Sequence, residues 1–303
     1  MHDARAVAIS GATGLVGSAL ASSFEQDNIP VRRLVRRDAR DATREICWDL
    51  ARGRIDADAL AEVDGVVHLA GKNLTDARWS DKVKRAIRAS RVEGTRLLCE
   101  GIARAPKKPR VLCCASAVGF YGDTGAMWVD EESPAGEGFL AETCQEWEEA
   151  TRPAWEAGVR VVQVRLGIVL SKQGGALKLM LPIFRSGAGG VLGDGEQYMS
   201  WITLVDVVRA IRFVLDHDLV HGAVNLAAPN PVTNRDFTKT LGAVLGRPTV
   251  LPAPKFALRM AMGEMADEML LSGARVRPGR LAEHGFQFEH SRLDRALEEI
   301  LHS

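Results

Sequence analysis

The amino-acid sequence predicts an α/β protein in which a doubly wound parallel sheet carries helices on both faces and a smaller C-terminal domain follows. Three observations carry this prediction. An apolar, β-prone pattern over Ala6–Ser10 runs into a glycine-rich turn and then into a helix pattern. Strand and helix patterns keep alternating as far as Leu166, which is typical of parallel sheets. After Leu166 the alternation loosens, and glycines punctuate a region rich in loops.

The elements of the first half follow from their periodicity. The first helix begins at Leu15, because apolar residues recur there at helical spacing. A long helix is predicted over 81–103 and another over 142–157, each with apolar residues three and four positions apart. After the first strand, further strands are predicted at 30–35, 45–48, 65–69, 111–115 and 159–166.

The second half contains fewer clear elements. A short segment over 200–203 precedes a helix over 205–217, and a strand is predicted at 223–226. Thr233 and Asn234 are predicted to cap a helix that ends near Leu245. The last predicted helix is rich in methionine and covers 256–271.

Composition and charge exclude several classes of protein. The chain has 303 residues with 39 Lys plus Arg and 39 Asp plus Glu, so we expect neither a nucleic acid nor a membrane surface as partner. No apolar run approaches the ~20 residues of a membrane span, and Met1–Arg5 lead straight into a strand, so we expect no signal peptide. The five cysteines lack a Cys-x-x-Cys pair and the seven histidines form no metal-spaced cluster. We expect a cytoplasmic monomer or homodimer without a metal.

The turn after the first strand is a candidate site for a dinucleotide. Gly11 would permit a sharp turn, Gly14 would let the backbone approach a pyrophosphate, and Gly17 would let the helix lie against the strand. Unpaired N–H groups at the helix N-terminus would then face the phosphates. We expect the intervening residues to contact the cofactor as well, namely Thr13, Leu15 and Val16. The alternative is a flavodoxin-like turn that binds no nucleotide.

The end of the second strand favours NADP over NAD. An NAD site usually places an acidic residue there to hold the ribose 2′-hydroxyl. Here Arg36 and Arg37 follow the strand, and two guanidinium groups suit a 2′-phosphate. The alternatives are a solvated basic turn, or an NAD site that uses Asp38.

Two further strand ends supply candidate cofactor contacts. Asp49 follows the third strand and either accepts from the adenine amino group or caps the next segment. Leu69, Ala70 and Gly71 leave the fourth strand, and small residues there would let the backbone pass under the ribose on the nicotinamide side.

Arg91 is unusual within the long helix. It lies on the same face as the apolar residues Ile87 and Leu98, which should pack against the sheet. A buried arginine needs an anionic or hydrogen-bonding partner. We favour a cofactor phosphate or ribose, and the alternative is an internal carboxylate.

The fifth strand runs through Ala115 and exits at Ser116. A serine at the carboxyl end of a strand lies at the ligand edge of such a sheet and could hydrogen-bond a substrate oxygen. The alternative is a capping hydroxyl.

These motifs resemble the extended short-chain dehydrogenase/reductases of the nucleotide-sugar epimerase/dehydratase group. The chain looks most like a poorly characterised branch with its own C-terminal domain. The resemblance implies a Rossmann fold, NADP held through Arg36 and Arg37 with contacts at Ala115 and Ile168, and a small substrate domain. We accordingly expect an NADP-binding domain at 1–166, to which segments at about 201–230 return, and a substrate-binding domain at 167–303. The motifs are Gly11-x-x-Gly14-x-x-Gly17, Ser90-Arg91-Val92-x-Gly94-Thr95, Ser116-Ala-Val-Gly-Phe-Tyr-Gly122, Arg165-Leu-Gly-Ile-Val, Gly193-x-Gly195-x-Gln197 and Trp201-Ile-x-x-x-Asp206.

The chain departs from this family in one respect. The larger family transfers a proton through a Tyr-x-x-x-Lys pair in the helix after the serine. This chain has only two tyrosines, Tyr121 and Tyr198, and neither has a lysine four residues later. Ser116 and Tyr121 are therefore the candidate catalytic residues, although packing is an alternative role for Tyr121.

Three candidate functions follow from these observations. The first is an NADP-dependent oxidoreductase or epimerase acting on a small hydroxylated or nucleotide-sugar-like substrate of unknown identity. That substrate is expected to contact Asn73, Trp79, Ser116 and Tyr121, together with the loop at 185–200. The second is a non-catalytic NADP(H)-binding sensor or scaffold protein; a nucleotide-sugar-binding protein that uses the cofactor structurally is a third candidate.

Overall fold

The computed structural model describes residues 6–302. Met1–Arg5, on which the expectation of no signal peptide rests, and Ser303 lie outside the described residues. None of the helices within 6–302 is long and apolar enough to cross a membrane.

An eight-stranded sheet forms the centre of the molecule. Its strand order is β12-β8-β6-β5-β1-β2-β3-β4, and every neighbouring pair is parallel except β3 with β4. The strands that build it are β1 (Ala6–Ser10), β2 (Val31–Val35), β3 (Glu45–Asp49), β4 (Arg54–Ile55), β5 (Val63–His68), β6 (Val111–Ala117), β8 (Arg160–Leu166) and β12 (Gly222–Leu226). Three two-stranded ladders use the remaining strands, β7 (Trp128–Val129), β9 (Ile168–Leu170), β10 (Tyr198–Met199), β11 (Trp201–Thr203), β13 (Val232–Thr233) and β14 (Arg275–Val276).

Helices cover both faces of this sheet, as the alternating patterns predict. Side chains on β1 alternate between the two faces, so Val7 and Ile9 enter one core and Ala8 enters the other. The helices are α1 (Leu15–Gln26), α2 (Ala57–Leu60), α3 (Asp81–Arg104), α4 (Phe139–Glu149), α5 (Arg152–Glu156), α6 (Gly175–Arg185), α7 (Leu204–Asp216), α8 (Asn234–Leu245), α9 (Lys255–Met262), α10 (Glu264–Met269), α11 (Gly279–Glu283) and α12 (Leu293–His302). The predicted fold class is confirmed.

The first core contains buried side chains of α1 and α7, and the second contains those of α3, α4 and α5. A third core, separate from the two sheet cores, contains Trp201 and buried side chains of α6, α8 and α12. The later segments β11, α7 and β12 contribute to the main sheet and its covering, since β12 pairs with β8 and α7 packs in the first core.

Several predicted boundaries differ from the observed ones. The helix predicted over 142–157 is two helices, because Pro153 lacks an N–H donor and starts a new helical segment in α5. The methionine-rich helix is also two, α9 and α10, which are separated at Gly263 with φ +63°. The region after Leu166 contains a full helix, α6, whose glycine-rich start and internal Pro182 hid its periodicity.

Strand order reverses between β1 and β5, because β2 and β3 lie on one side of β1 and β5, β6 and β8 lie on the other. In open α/β sheets, such a reversal opens a crevice at the carboxyl ends of the strands, where ligands bind. The glycine-rich turn after β1 lies at this crevice.

Candidate functional site

The turn between β1 and α1 has the geometry that its three glycines predict. Gly11 has φ +67°, a region that side chains rarely adopt. A Cβ at Gly17 would lie 2.2 Å from the carbonyl oxygen of Gly11, so only glycine lets α1 start this close to the strand. A Cβ at Gly14 would have Gly11 O, at 3.3 Å, as its only neighbour within 4 Å, so the other side of Gly14 is open.

The N-terminus of α1 is free of protein caps. Gly14 occupies the N-cap position, offers no side-chain hydrogen bond, and is followed by no acidic residue in the first turn. Thr13 and Gly14 are exposed, whereas Val16 packs against the first core. The side chain of Leu15 lies beside Gly174 and Gly175, at the start of α6. Uncapped N–H groups and the helix dipole make this end suitable for an anion.

Ser10 and His68 connect the two strands that border the crevice. The backbone N–H groups of Leu69 and Ala70 donate to the Ser10 hydroxyl oxygen, over 3.0 and 3.1 Å. Because that oxygen accepts twice, its own hydrogen is donated to Nδ1 of His68, 2.7 Å away. Burial lowers the pKa of His68 to about 4, and its Nε2 is buried without a hydrogen-bond partner within residues 6–302. These bonds fix the backbone of Leu69 and Ala70 beside Gly11.

The two arginines after β2 have different surroundings. Arg36 is exposed and makes no ion pair or hydrogen bond with the described residues. Arg37 forms two bonds to Glu45, 2.6 and 2.8 Å long, which lower the pKa of the Glu45 carboxyl to about 2. Of these two arginines, Arg36 is therefore the one whose guanidinium is free for a ligand.

Two acidic residues at the ends of β2 and β3 already interact with other groups of the protein. Asp38 forms an ion pair with Arg54 over 2.9 Å, so the carboxylate that would hold an NAD ribose has a cationic partner. Asp49 accepts from the backbone N–H of Arg52 and caps the 3₁₀ helix at Leu50–Arg52. The capping role expected for Asp49 is thus seen in this structure, and a contact with adenine stays a prediction.

Arg91 lies half-buried on the inner face of α3, as its position predicts. Its Nη1 donates to the carbonyl oxygens of Lys72 and Ile87, and the guanidinium lies 5.2 Å from the ring centroid of Trp147. Within residues 6–302 no carboxylate pairs with it, and Nε and Nη2 make no hydrogen bond. A Cβ at Gly71 would lie 3.4 Å from the Arg91 guanidinium carbon. Burial lowers the pKa of Arg91, because nothing anionic compensates its desolvation.

A cavity of about 390 Å³ opens beside Arg91. It receives Ala117 and Val118 from the exit of β6, Ile168 from the start of β9, and a set of side chains from α4. Its other wall comes from residues 267–274 of the C-terminal region. The α4 side chains in the wall are Leu140, Thr143, Cys144 and Trp147.

Ser116 and Tyr121, the predicted catalytic residues, are not in this wall. The Ser116 hydroxyl donates to Glu148 over 2.6 Å, and Glu148 forms a two-bond ion pair with Arg165, both bonds 2.8 Å. The Tyr121 hydroxyl accepts from Arg165 over 2.9 Å and donates to Asn225 over 2.8 Å. Burial raises the pKa of Tyr121.

This buried network corrects the expectation that both hydroxyls face substrate. Ser116 and Tyr121 are each 2% exposed, and the Ser116 hydroxyl satisfies the carboxylate of an internal ion pair. The alternative roles, a structural hydroxyl for Ser116 and packing for Tyr121, agree with these contacts. Ala115 is also buried, two residues before Ala117, where this strand reaches the cavity wall.

The predicted substrate residues Asn73 and Trp79 lie near the cavity without lining it. Asn73 accepts from the backbone N–H of Thr75, and Trp79 donates to the carbonyl of Leu74 over 2.9 Å. Leu74, between them, does line the cavity. Residues other than the predicted ones thus reach the wall from the segments around Asn73 and Ser116, whereas the predicted loop at 185–200 contributes Tyr198 and Ser200.

The sequence analysis included Tyr198 only as part of the loop at 185–200, and it missed the wall residue Glu268. Tyr198 is the second of the two tyrosines, and its hydroxyl makes no hydrogen bond with a described residue. Glu268 reaches α4 from α10 and accepts from the backbone N–H groups of Phe139 and Leu140, over 3.0 and 3.2 Å. The extended pattern at Tyr198-Met199 could have indicated a strand that carries Tyr198. No local pattern indicates that Glu268 caps a helix that begins 129 residues earlier.

Comparisons with known proteins agree along nearly the whole chain. The sequence model of the NAD dependent epimerase/dehydratase family matches residues 7–227, and that of a domain of unknown function, DUF1731, matches residues 253–300. An epimerase family protein of Mycobacterium leprae is 46% identical over 291 residues, which cover 96% of this chain and 94% of that protein.

Solved structures give the same result. The crystal structure of human epimerase family protein SDR39U1 with NADPH aligns with a TM-score of 0.89 at 33% identity, covering 98% of this chain and 99% of that one. The nucleoside-diphosphate sugar epimerase from Corynebacterium glutamicum aligns with a TM-score of 0.80 at 35% identity, covering 98% of this chain and 58% of the other.

Proposed function

This chain belongs to the NAD dependent epimerase/dehydratase family, as an atypical extended short-chain dehydrogenase/reductase, and from that premise we propose that it binds NADPH in the crevice between β1 and β5. The resemblance expected from the sequence motifs is thereby confirmed. We further propose that the protein is an oxidoreductase or epimerase that acts on a small hydroxylated substrate.

The uncapped N-terminus of α1 is the observation that carries the proposal. Its first N–H groups face a crevice, and the open side of Gly14 leaves room for a diphosphate to approach the backbone. Glycine at position 17 lets the helix start close enough to the strand for both to contact one ligand. Human SDR39U1, which aligns over 98% of this chain, was solved with NADPH.

Preference for NADPH over NADH is supported by the free guanidinium of Arg36. A 2′-phosphate would gain charge-assisted hydrogen bonds from it. Arg37 would contribute only if its bonds to Glu45 are shared or exchanged, so we assign it the lesser role. With Asp38 paired to Arg54, no unpaired carboxylate at this position favours a ribose 2′-hydroxyl.

The other end of the cofactor would reach the cavity beside Arg91. Bound NADPH would supply a hydride there. The free Nε and Nη2 of Arg91 would hold a ribose hydroxyl or phosphate oxygen, and the Trp147 ring, 5.2 Å from the guanidinium, would stabilise its charge. The apolar wall from α4 would exclude water from the reacting atoms.

A non-catalytic NADPH-binding protein is the second candidate. Helix α4 contains neither tyrosine nor lysine, and the hydroxyls of Ser116 and Tyr121 are bound within a buried network. A sensor or scaffold protein would need the cofactor site but no proton donor.

Hydride transfer distinguishes the two candidates. NADPH carrying deuterium at C4 would be incubated with the protein and a panel of ketones and aldehydes, and transfer of the label would be followed by mass spectrometry. Transfer to any carbonyl compound supports the enzyme. Tight NADPH binding without transfer supports the second candidate, and no affinity for NADPH or NADH contradicts both.

A further inference from the structure

We propose that the substrate sharing this cavity with the cofactor is a small, largely apolar molecule that is uncharged or cationic, and not a nucleotide sugar. The proposal rests on the proposed function, because the cofactor must occupy part of the same space. Four properties of the cavity carry it: volume, free hydrogen-bonding groups, apolar lining and charge.

The volume leaves room for a small substrate only. The cavity measures about 390 Å³, near the lower end of the ~300–1,000 Å³ of sites that enclose one drug-sized ligand. Part of that space must hold the nicotinamide end of the cofactor. A nucleoside diphosphate linked to a sugar would not fit in the remainder.

Most hydroxyl groups in the wall already donate hydrogen bonds to backbone carbonyls of the protein. Thr143 donates to the carbonyl of Phe139 over 2.6 Å, and Ser200 donates to that of Ala274 over 2.6 Å. Ser272 donates to the carbonyl of Glu268 over 3.1 Å. Only the Tyr198 hydroxyl has no partner among the described residues. A sugar with several hydroxyl groups, or a diphosphate, would find few donors in such a wall.

The remaining wall is apolar. The larger apolar side chains that line it come from five different segments of the chain, so the apolar surface continues around the cavity. They are Leu74, Val118, Leu140, Ile168 and Met269. An apolar substrate body would gain affinity from this surface.

The charge of the wall opposes an anion. The cavity is lined by four carboxylates and one guanidinium, that of Arg91. Among the carboxylates, Asp267 is neutralised by Arg259 at 2.9 Å. The other three form no ion pair within residues 6–302; they are Asp123, Glu137 and Glu268. Like charges placed together in an interface are strongly unfavourable, so this wall discriminates against a diphosphate.

A matched series of ketones tests the proposal. The three ketones are acetophenone, the anion 4-acetylbenzoate and the cation 4-acetyl-N,N,N-trimethylanilinium, and UDP-glucose is the nucleotide-sugar probe. Binding to the protein saturated with NADP⁺, which has no hydride to give, would be measured by ligand-observed NMR and calorimetry. NADP⁺ binding is measured first and alone, so that failure of the proposed function is seen separately from failure of this inference.

We expect the neutral and cationic ketones to bind at least about tenfold more tightly than the anion, and UDP-glucose not to displace them. Neutralising two rim carboxylates, with Asp123→Asn plus Glu137→Gln, should reduce that ratio toward one. Glu298→Gln, an exposed change on α12, is the matched control and should leave the ratio unchanged. The inference is overturned if the anion binds as tightly as the neutral ketone, if UDP-glucose competes, or if no ketone binds at all.

Discussion

The hydroxyl of Ser10 donates a hydrogen bond to Nδ1 of His68 across the point where the strand order reverses. The same oxygen accepts from two backbone N–H groups, so it holds both the imidazole and the exit of β5. A protonated imidazole would carry N–H at both nitrogens and could not accept from Ser10. The contact therefore requires a neutral His68.

Stability should consequently depend on pH through His68. Its pKa is about 4 in the folded chain and ~6.5 in an unfolded one. Between these values the unfolded state binds more protons, so the free energy of unfolding falls as pH decreases from about 6.5 to about 4, by on the order of 3 kcal/mol. Urea titrations across this range measure it. His68→Gln should flatten the slope, whereas His302→Gln on the exposed end of α12 should not.

Alanine substitutions separate the roles of Gly17 and Gly14. Gly17→Ala would place a methyl group 2.2 Å from the Gly11 oxygen, so it should lower the free energy of unfolding by ~1–3 kcal/mol and also weaken NADPH binding. Gly14→Ala meets a single protein atom at 3.3 Å, and should keep stability while weakening binding. Chemical denaturation and NADPH fluorescence measure the two effects. Normal binding by Gly14→Ala would contradict the diphosphate assignment.

Arginine substitutions test the choice of coenzyme. Arg36→Ala should weaken NADPH binding by ~1.5–3 kcal/mol for each charged hydrogen bond lost, with little effect on NADH. Arg37→Ala should have a smaller effect, since Glu45 already holds that guanidinium, and the double variant should favour NADPH least. Calorimetric titration of both coenzymes provides the measurement. Equal losses for NADPH and NADH would contradict a 2′-phosphate contact.

Arg91→Met should preserve the fold and lower cofactor affinity. The methionine retains much of the apolar contact with Trp147 while removing the charge whose desolvation is uncompensated. Arg96→Met, on the exposed face of the same helix, is the matched control. Circular dichroism would report folding, and fluorescence titration would report NADPH binding. Unchanged affinity in Arg91→Met would assign the residue a structural role.

Tyr121→Phe should destabilise the protein without affecting NADPH binding. Arg165 would lose an acceptor and Asn225 a donor inside a buried network, at a cost of ~1–3 kcal/mol. Thermal and chemical unfolding measure this cost. If the variant instead kept full stability and lost hydride transfer, Tyr121 would be a proton donor after all.

Local patterns were sufficient to predict the half of the chain that contains the proposed cofactor site. The spacing of Gly11, Gly14 and Gly17 predicts both the positive φ and the close approach of helix to strand, because those needs arise within a few residues. Likewise, Arg91 could be placed on the inner face of α3 from helical periodicity alone.

Side-chain direction beyond a strand exit could not be predicted. A 3₁₀ turn at Val118–Tyr121 directs the Tyr121 phenol toward Arg165, while Tyr198 reaches the cavity from a short ladder far along the chain. The spacing of residues in the sequence indicates neither the direction of the Tyr121 side chain nor the position of Tyr198. The carboxylates that line the cavity could not be predicted for the same reason, since they come from segments that meet only through tertiary contacts.

The hydrogen bonds from α4 to Glu268, 129 positions later, have a consequence for synthesis of the protein. A nascent chain halted before α10 would leave the N–H groups of Phe139 and Leu140 without this acceptor, and β7 without β14. Such long-range closure is slow compared with helix formation. Residues 264–276 must therefore leave the ribosome before the start of α4 and strand β7 gain these partners, and a chain truncated before α10 should be more prone to aggregation than the full chain.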